Sequence, residues 1–468
     1  MPPSLKRLLH DPTLWCLAIY ALGIWLRVDY SLNVNPPEAH VSSDMGLYVD
    51  LARRLGTGVE LHPWDVTHPL GYPALVSFLL GEGGGLGNVT RVQIVVSCLV
   101  PLAVGLLALA AFGRRTALAA VAFASLYFPY IEYGALFLSE IHFIFWLTLA
   151  FAAFLGARDA SARGTTVGLA LAGGLALSIA AAFKSVALPA AAAFFLLDAL
   201  ALQVRRMRTG APARATFSGC ATRAVLVGVG AAPLLGVLAR VCTAANRGNF
   251  CVTGNKVGAD FLLGHYGRIA DIHWADDEGH GFGFGSPAAY LRHYEAHPSV
   301  PFPITDNAAN SAEAWRWILR HPFEAVVVSL DHLYDTFLGT GMWPTYSTES
   351  WPLAHLSQVA FVALLLVPAL FACARVMKRG VAAFVTSRAL LMLAPVFALA
   401  AVVAFATGEV RYRIPFDVFF IAVVAAMALG ELERKDDAQP AEAPSAPSLP
   451  DDLNARTPNQ TSATSATP

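Results

Sequence analysis

Residues 91–112 read RVQIVVSCLVPLAVGLLALAAF, an apolar run whose only charged residue is its first. An α-helix needs about 20 mostly apolar residues to cross a bilayer, so this run predicts a membrane span. Comparable runs recur at about 13–31, 116–134, 139–157, 166–183, 186–202, 223–243, 352–374, 389–407 and 414–431. The sequence therefore predicts an all-α polytopic membrane protein with about ten transmembrane helices and a small extracytoplasmic domain.

The composition agrees with this fold class. Of 468 residues, 56% are hydrophobic and 14% are charged, whereas an ordinary soluble domain carries about 25% charged residues. These values argue against a water-soluble multidomain enzyme. The formal net charge of −1 also argues against a nucleic-acid binder that relies on overall basicity.

Basic residues lie between alternate runs and mark the predicted cytoplasmic side. They are Lys6, Arg7, Arg114, Arg115, Arg158, Arg163, Arg205, Arg206, Arg208, Arg214, Arg375, Lys378 and Arg379. Both termini are then cytoplasmic, and the first run is an uncleaved anchor because no small-residue cleavage site follows it. This order requires that residues 70–81 do not cross; if residues 70–87 crossed, Glu140 would face the cytoplasm.

Four regions follow from these assignments. Residues 1–243 form an N-terminal transmembrane module with outer loops, 244–351 form the extracytoplasmic domain, and 352–432 form the C-terminal transmembrane helices. Residues 433–468, rich in Pro, Ala, Ser and Thr, are predicted to be a disordered cytoplasmic tail.

Two amphipathic stretches are predicted to lie on the outer surface. A helix that starts at Ser43 or Asp44 groups on one face Leu47, Tyr48, Leu51, Ala52 and Leu55. The end of the outer domain, residues 315–339 (WRWILRHPFEAVVVSLDHLYDTFLG), is too polar to span and suits a surface helix. Nearby, Cys242 and Cys251 are the two of the six cysteines that are placed to form a disulfide.

Charged side chains gather near the outer ends of the predicted spans: Asp44, Glu140, Lys184, Glu409, Arg411 and Arg413. Because ionisable groups are costly in a membrane, this placement predicts a site that faces the outer interface. An arginine at the bilayer edge suits a lipid phosphate, since its guanidinium can bind two oxygens, and Tyr412 lies between two such arginines. Simpler roles stay open: an N-cap for Asp44, a first-turn acid for Glu140, a snorkelling amine for Lys184, and an arginine paired with Glu409.

Two further groups are weaker candidates. Three residues of the first outer segment could line a sugar pocket, namely His62, His68 and Tyr72. The segment HWADDEGHGFGFG could bind a cation through His273, Asp276, Asp277, Glu278 and His280, although solvated loop acids are the commoner explanation.

Several pieces of the chain occur in the order found in a known family. They are SSDMGLYVDLARRL, HPLGYPAL, FLSEIHFIFWLTLA, AAFKSVALP, HPFEAVVVSLDHLY and GEVRYRIPFDVFFIAVVAA. In this order they resemble the GT-C glycosyltransferases of the ArnT/protein O-mannosyltransferase type, and the resemblance covers residues 1 to about 432. The resemblance implies an integral membrane enzyme that uses a polyprenyl-phosphate sugar.

The resemblance also implies roles for individual residues. Asp44 matches the first-loop catalytic aspartate and Glu140 the second-loop acid. Lys184 matches a basic residue near the lipid phosphate, and Arg411 with Tyr412 matches the late Arg-Tyr motif. A second acid often follows the catalytic aspartate in this family, but Met45 stands there in this chain, so we expect no metal ligands and doubt a divalent-cation cofactor.

We therefore expect a glycosyltransferase of the plasma membrane, with its site on the outer face; the Ala- and Arg-rich composition suggests a bacterial inner membrane. Nucleotide sugars are absent outside the cytoplasm, so the donor has to reach the site within the membrane. In an inverting displacement Asp44 would deprotonate a lipid, glycan or protein acceptor, while Lys184 and Arg411 neutralise the leaving phosphate. Glu140 would orient the acceptor or the donor sugar.

Two other interpretations stay open. A transporter or flippase of a lipid-linked or anionic solute would have broken helices, for which Pro189, Pro233 and Pro395 are candidate positions. A catalytically inactive scaffold with the same fold is the other.

Overall fold

The computed structural model describes residues 11–81, 84–210, 213–275, 282–285, 293–339 and 351–432. The first part is helical: α1 (Pro12–Asp29), α2 (Asp44–Gly56), α3 (Gly71–Leu80), α4 (Leu86–Ala111), α5 (Arg114–Leu126), α6 (Phe128–Glu132), α7 (Glu140–Asp159), α8 (Arg163–Phe183), α9 (Ala187–Thr209) and α10 (Ala213–Ala245). In the core, α7 packs against α4 and α8, and α8 packs against α10. The predicted helical membrane fold is confirmed.

The last part of the chain returns to the bundle. It contains α14 (Trp351–Phe361), α15 (Val367–Met377), α16 (Val381–Thr386), α17 (Arg388–Phe405), α18 (Val410–Arg413) and α19 (Asp417–Ala428), with a π-helical turn between α14 and α15. α17 packs against α9, and α19 packs against α4 and α5.

Among the described residues, 7 helices are long and apolar enough to cross a membrane. They are Leu86–Ala111, Glu140–Asp159, Arg163–Phe183, Ala187–Thr209, Gly219–Ala245, Pro352–Met377 and Arg388–Phe405. The remaining three predicted spans are helical but fall short of that standard: α1, the run 116–134 that breaks at Tyr127, and the run 414–431 that begins with a short 3₁₀ turn. The total of about ten spans stays a prediction.

The prolines do not break the helices as a transporter would require. Pro189 lies in the first turn of α9, where its missing N–H has no helical partner to lose. The helices α10 and α17 run through Pro233 and Pro395. The helices thus stay continuous at the three positions named for this interpretation.

The region predicted not to cross is α3, a helix of 10 residues. At 1.5 Å per residue it is about 15 Å long, half of the roughly 30 Å of hydrocarbon in a bilayer. It packs against α2, and this pairing explains the buried face of α2. That face holds Met45, Tyr48, Val49 and Ala52, whereas Leu47, which was predicted to be on it, is 47% exposed.

The region between α10 and the C-terminal helices has its own small core and is called the outer domain after its predicted position. It contains α11 (Val257–Gly264), β1 (Asp271–Trp274), β2 (Phe282–Gly285), β3 (Ser299–Val300), α12 (Asn307–Arg320) and α13 (Pro322–Phe337). β1 is central, antiparallel to β2 and parallel to β3. The buried Trp274 donates from Nε1 to Asn310 at 2.7 Å, which ties the sheet to α12. These strands are a small addition to the all-α fold that was predicted.

The single surface helix predicted for residues 315–339 is in fact two. α12 ends at Arg320 and α13 begins at Pro322, because proline has no N–H and disfavours a helical residue before it. Each helix exposes apolar side chains on one face: Trp315 and Leu319 on α12, and Phe323, Val326, Leu330 and Tyr334 on α13. Exposed apolar faces of this kind suit helices that lie on a membrane surface, and the position at the membrane stays a prediction.

Candidate active site

Four charged residues from distant parts of the chain meet at one end of the bundle. Asp44 is the first residue of α2, Glu140 the first of α7, Lys184 follows α8, and Arg411 lies in α18. Arg411 donates from Nη1 to Asp44 Oδ2 at 2.8 Å and from Nε to Glu140 Oε1. Lys184 Nζ lies 3.1 Å from Glu140 Oε1. The structure thus brings together the residues that the sequence analysis singled out.

These contacts also decide between the two topologies. Asp44 and Glu140 share Arg411, so they lie at the same end of the bundle. If the runs 91–112 and 116–134 both cross, as predicted, a crossing by residues 70–87 would separate the two carboxylates by the thickness of the membrane. With those two spans in place the alternative is excluded, whichever side of the membrane the shared end faces.

Asp44 is not an N-cap. Ser43 holds that position, with a φ of 48° that few non-glycine residues adopt. Such backbone strain costs about 1–3 kcal/mol and is concentrated at functional sites. The carboxylate of Asp44 does not cap the helix and binds Arg411 instead.

Glu140 is fully buried and binds both Arg411 and Lys184. Its predicted role was to orient a substrate. A carboxylate with no exposed surface that binds two cations instead holds the side chains of those cations in position. Lys184 likewise has an ion pair, so it is not a snorkelling lysine. Its Nζ also lies 5.8 Å from the centre of the Tyr412 ring.

Arg413 was predicted to bind the donor phosphate, and the structure places it elsewhere. It is 1% exposed, lies 3.1 Å from Asp417, donates to Gln358 at 2.8 Å and stacks over Phe361. Residues two apart on a helix point about 200° apart, so Arg411 and Arg413 cannot face the same ligand. Arg413 therefore holds helices together.

A cavity of about 250 Å³ opens beside the cluster. Its polar part is lined by Asp44, Lys184, Glu409, Arg411 and Tyr412, and its apolar part by Phe183, Val186, Leu399, Val402 and Val403. Lys256, from the outer domain, also lines it. The sequence analysis missed Lys256, because one lysine with an acid four residues later is an ordinary surface pattern.

The three residues proposed for a sugar pocket lie in different surroundings. His68 lines the cavity, with Nε2 3.2 Å from Lys256 Nζ. His62 is exposed and caps a 3₁₀ turn together with Asp65. Tyr72 is fully buried and packs against the rings of Tyr48 and His142, so it does not face a sugar.

A second cavity of about 230 Å³ meets the first one at Asp44. Asp44, Tyr48 and His68 line both cavities. The second cavity is otherwise lined by Leu47, Asp50, Leu51, Arg54, Trp64, Asp65 and Thr67. Asp44 is thus the one charged residue that the two cavities share, within the described part of the chain.

The electrostatic environment makes the two cavity carboxylates different. Burial raises the pKa of Asp44, but the guanidinium of Arg411 lowers it by more, and the result is about 2. Burial raises the pKa of Glu409 to about 7, against the smaller opposing effect of Arg411. Burial and Lys256 lower the pKa of His68 to about 3, so this imidazole is neutral. One site therefore holds an ionised carboxylate and one that titrates near neutrality.

Gly408 joins this site to the outer domain. A Cβ atom at this position would lie 2.0 Å from the carbonyl oxygen of His332 in α13. Only glycine fits such a contact with a backbone atom. The segment that carries Glu409 and Arg411 is therefore packed directly against α13.

Cys242 and Cys251 form a disulfide, with Cα atoms 5.6 Å apart. The sequence analysis named this pair as the candidate and left open whether the bond forms. Disulfides persist in oxidising compartments, which agrees with an outer position for this end of α10. Of the proposed cation ligands, Asp276, Asp277, Glu278 and His280 lie outside the described residues, as does the predicted tail 433–468.

Comparison with known proteins supports the fold. Residues 92–239 match the family model described as dolichyl-phosphate-mannose-protein mannosyltransferase. No curated protein matches the chain. Among solved structures, the oligosaccharyltransferase of Archaeoglobus fulgidus, tethered to an acceptor peptide, is similar over 90% of this chain and 50% of its own, with 15% identity and a TM-score of 0.50.

A second solved structure, ArnT from Cupriavidus metallidurans bound to undecaprenyl phosphate, matches 89% of this chain and 78% of its own, with 13% identity and a TM-score of 0.39. The chain spans about half the length of the oligosaccharyltransferase. The predicted resemblance to GT-C glycosyltransferases is confirmed at the level of the fold, and a family model of that type matches residues 92–239.

Proposed function

We propose that this chain transfers a sugar from a polyprenyl-phosphate donor to an extracytoplasmic acceptor by one inverting displacement. The observation that carries the proposal is the contact of Arg411 with both Asp44 and Glu140, beside Lys184, in a cavity with one apolar wall. Such a cavity suits a ligand that has a phosphate at one end and an isoprenoid chain at the other.

The phosphate would bind the cations of the first cavity. Lys184, Lys256 and Arg411 line it, and Glu140 holds Lys184 and Arg411 in fixed positions. Charge accumulates on the phosphate as it leaves the sugar, and cations that are already in place stabilise that charge without reorganisation. Leu399, Val402 and Val403 would contact the first isoprene units.

Asp44 is the proposed base. The acceptor oxygen or nitrogen bonds to the anomeric carbon as the bond from that carbon to the phosphate oxygen breaks. The acceptor proton passes to Asp44, and polyprenyl phosphate leaves with the electron pair of the broken bond. In the free protein Arg411 binds Asp44, so a donor phosphate that takes over part of Arg411 would release the carboxylate for this task.

The acceptor would occupy the second cavity, because Asp44 is accessible from both. Trp64, at 36% exposure, offers a ring face, and the exposed carboxylate of Asp50 offers hydrogen-bond acceptors. These groups suit a polar acceptor. Glu409 is a second carboxylate on the donor side, and its pKa near 7 makes it the alternative acid or base.

The test uses the full chain in lipid nanodiscs, with radiolabelled polyprenyl-phosphate sugars and extracts of lipid, glycan and protein acceptors. We expect label in an acceptor fraction and inhibition by polyprenyl phosphate that lacks a sugar. If intact donor crosses the bilayer of proteoliposomes without release of its sugar, the chain is a transporter. If polyprenyl phosphate neither inhibits nor stabilises the protein and no label moves, the proposal is wrong.

A further inference from the structure

A second cluster of chemically active side chains lies in the outer domain, away from Asp44. Asp271 and His273 lie on β1, and His297 lies just before β3. Asp271 Oδ1 is 3.3 Å from His273 Nε2 and 2.7 Å from His297 Nδ1. One ligand atom from each residue lies within 4.8 Å of the other two. Both imidazoles are about half exposed, so a solute can reach them.

The backbone fixes this arrangement from two sides. Ala270 donates to the carbonyl of Ala296, and His273 donates to that of Pro298, each at 2.9 Å, so His297 is held between two main-chain bonds to β1. On the other side the His273 ring packs against Gly283 of β2, where a Cβ atom would come within 2.9 Å of the ring. The backbone bonds and the contact with Gly283 thus hold the three donor atoms close together.

We propose that Asp271, His273 and His297 bind a divalent transition-metal ion of the zinc type. Two imidazoles and one carboxylate form a common zinc ligand set, with metal–ligand distances of about 2.0–2.2 Å. In a tetrahedron these distances put the ligand atoms about 3.4 Å apart, and the Asp271–His273 distance of 3.3 Å agrees with that value. The shorter Asp271–His297 distance is that of a hydrogen bond, which binding replaces after a small rotation of one ring.

The metal would stabilise the wall of the donor cavity. Asp271 pairs with Gly285 in the β1–β2 ladder, and Gly285 lines that cavity. An ion bound to β1 and to the segment before β3 fixes the central strand against that segment, and the ladder of β1 with β2 carries this to Gly285. Its role is structural, and the proposal does not depend on which sugar, or whether any sugar, is transferred.

The test is metal binding by the full-length protein in detergent, purified without a histidine tag and stripped with a chelator. Titration with Co²⁺, followed by its visible absorption and by calorimetry, should show one site that is displaced by Zn²⁺. His273→Gln and His297→Gln should each weaken binding at least about 10-fold. The matched control is His321→Gln, because His321 is also about half exposed and lies 3.9 Å from a carboxylate, that of Glu324, but belongs to no group of three possible ligands among the described residues.

Hydrogen exchange gives a second measurement. Saturating Zn²⁺ should slow exchange in the peptide that contains β1, and His297→Gln should remove this effect while the protein keeps its thermal stability without metal. The proposal is overturned if the wild type binds no Co²⁺ or Zn²⁺. It is equally overturned if binding survives unchanged in both histidine variants, because the ion then lies elsewhere.

Discussion

Asp44→Asn should lower the transfer rate at least about 100-fold, a change of about 2.7 kcal/mol in activation free energy, while the fold survives. Asparagine keeps the size of the side chain and accepts a hydrogen bond from Arg411, but it cannot take a proton. The loss of stability follows from linkage. The pKa of Asp44 is lowered from 3.8 to about 2, and at 1.36 kcal/mol for each pKa unit its charge contributes about 2 kcal/mol to stability. That contribution is present at neutral pH and is lost as the pH falls through about 2.

The assay is kcat/KM for transfer between about pH 5 and 8, which reports the pKa values of the free protein, with thermal unfolding measured on the same samples. A carboxylate with a pKa of about 2 stays ionised throughout, so wild-type transfer should not depend on pH through this group. If Glu409 were the base, the rate at pH 6 would be about one tenth of its plateau, because its pKa is about 7. Retention of more than a tenth of wild-type turnover by Asp44→Asn refutes the mechanism. A pH dependence near 7 that disappears in Glu409→Gln then assigns the base to Glu409.

Lys184→Ala should raise the activation free energy of transfer by about 2–4 kcal/mol. Arg411→Lys should also lose activity, because one amine cannot bind both carboxylates that the guanidinium bridges. Normal donor kinetics in either variant would remove that residue from the phosphate site. Cys242→Ser opens a disulfide that spans 9 residues, which should cost about 2–3 kcal/mol in thermal unfolding; an unchanged midpoint would contradict this. In a background that keeps the disulfide but lacks the free cysteines Cys16, Cys98, Cys220 and Cys373, Glu60→Cys should react with an impermeant thiol reagent in intact cells. Arg208→Cys should react only after permeabilisation, and the reverse result would invert the topology.

The sequence predicted the charged cluster because ionisable side chains are costly in a membrane and therefore occur there mainly at functional sites. Asp44, Glu140, Lys184 and Arg411 each interrupt or begin an apolar run, and such positions are visible in one sequence. Their mutual contacts were not visible, since pairs such as Asp44 and Arg411 are 367 residues apart. Only the packing of α2, α7 and α18 defines which cation binds which acid.

The wrong assignments have local physical causes. Arg413 resembles Arg411 in type and neighbourhood, and only the helical turn of α18 shows that it points to Asp417. Tyr72 lies close to His68 in sequence, but α3 turns its ring into the core. Lys256 was missed for the opposite reason: the outer domain brings it to His68 by tertiary contact, which no periodic pattern records.

The close contact at Gly408 connects the chemistry to the lipid around it. The backbone that precedes Glu409 and Arg411 lies against α13, and α13 exposes apolar side chains that suit a membrane surface. If those side chains lie among the headgroups, a change in their depth would be passed through this contact to the segment that carries Arg411. We therefore expect turnover to depend on lipid thickness and headgroup charge, and the rates in detergent and in native membranes to differ.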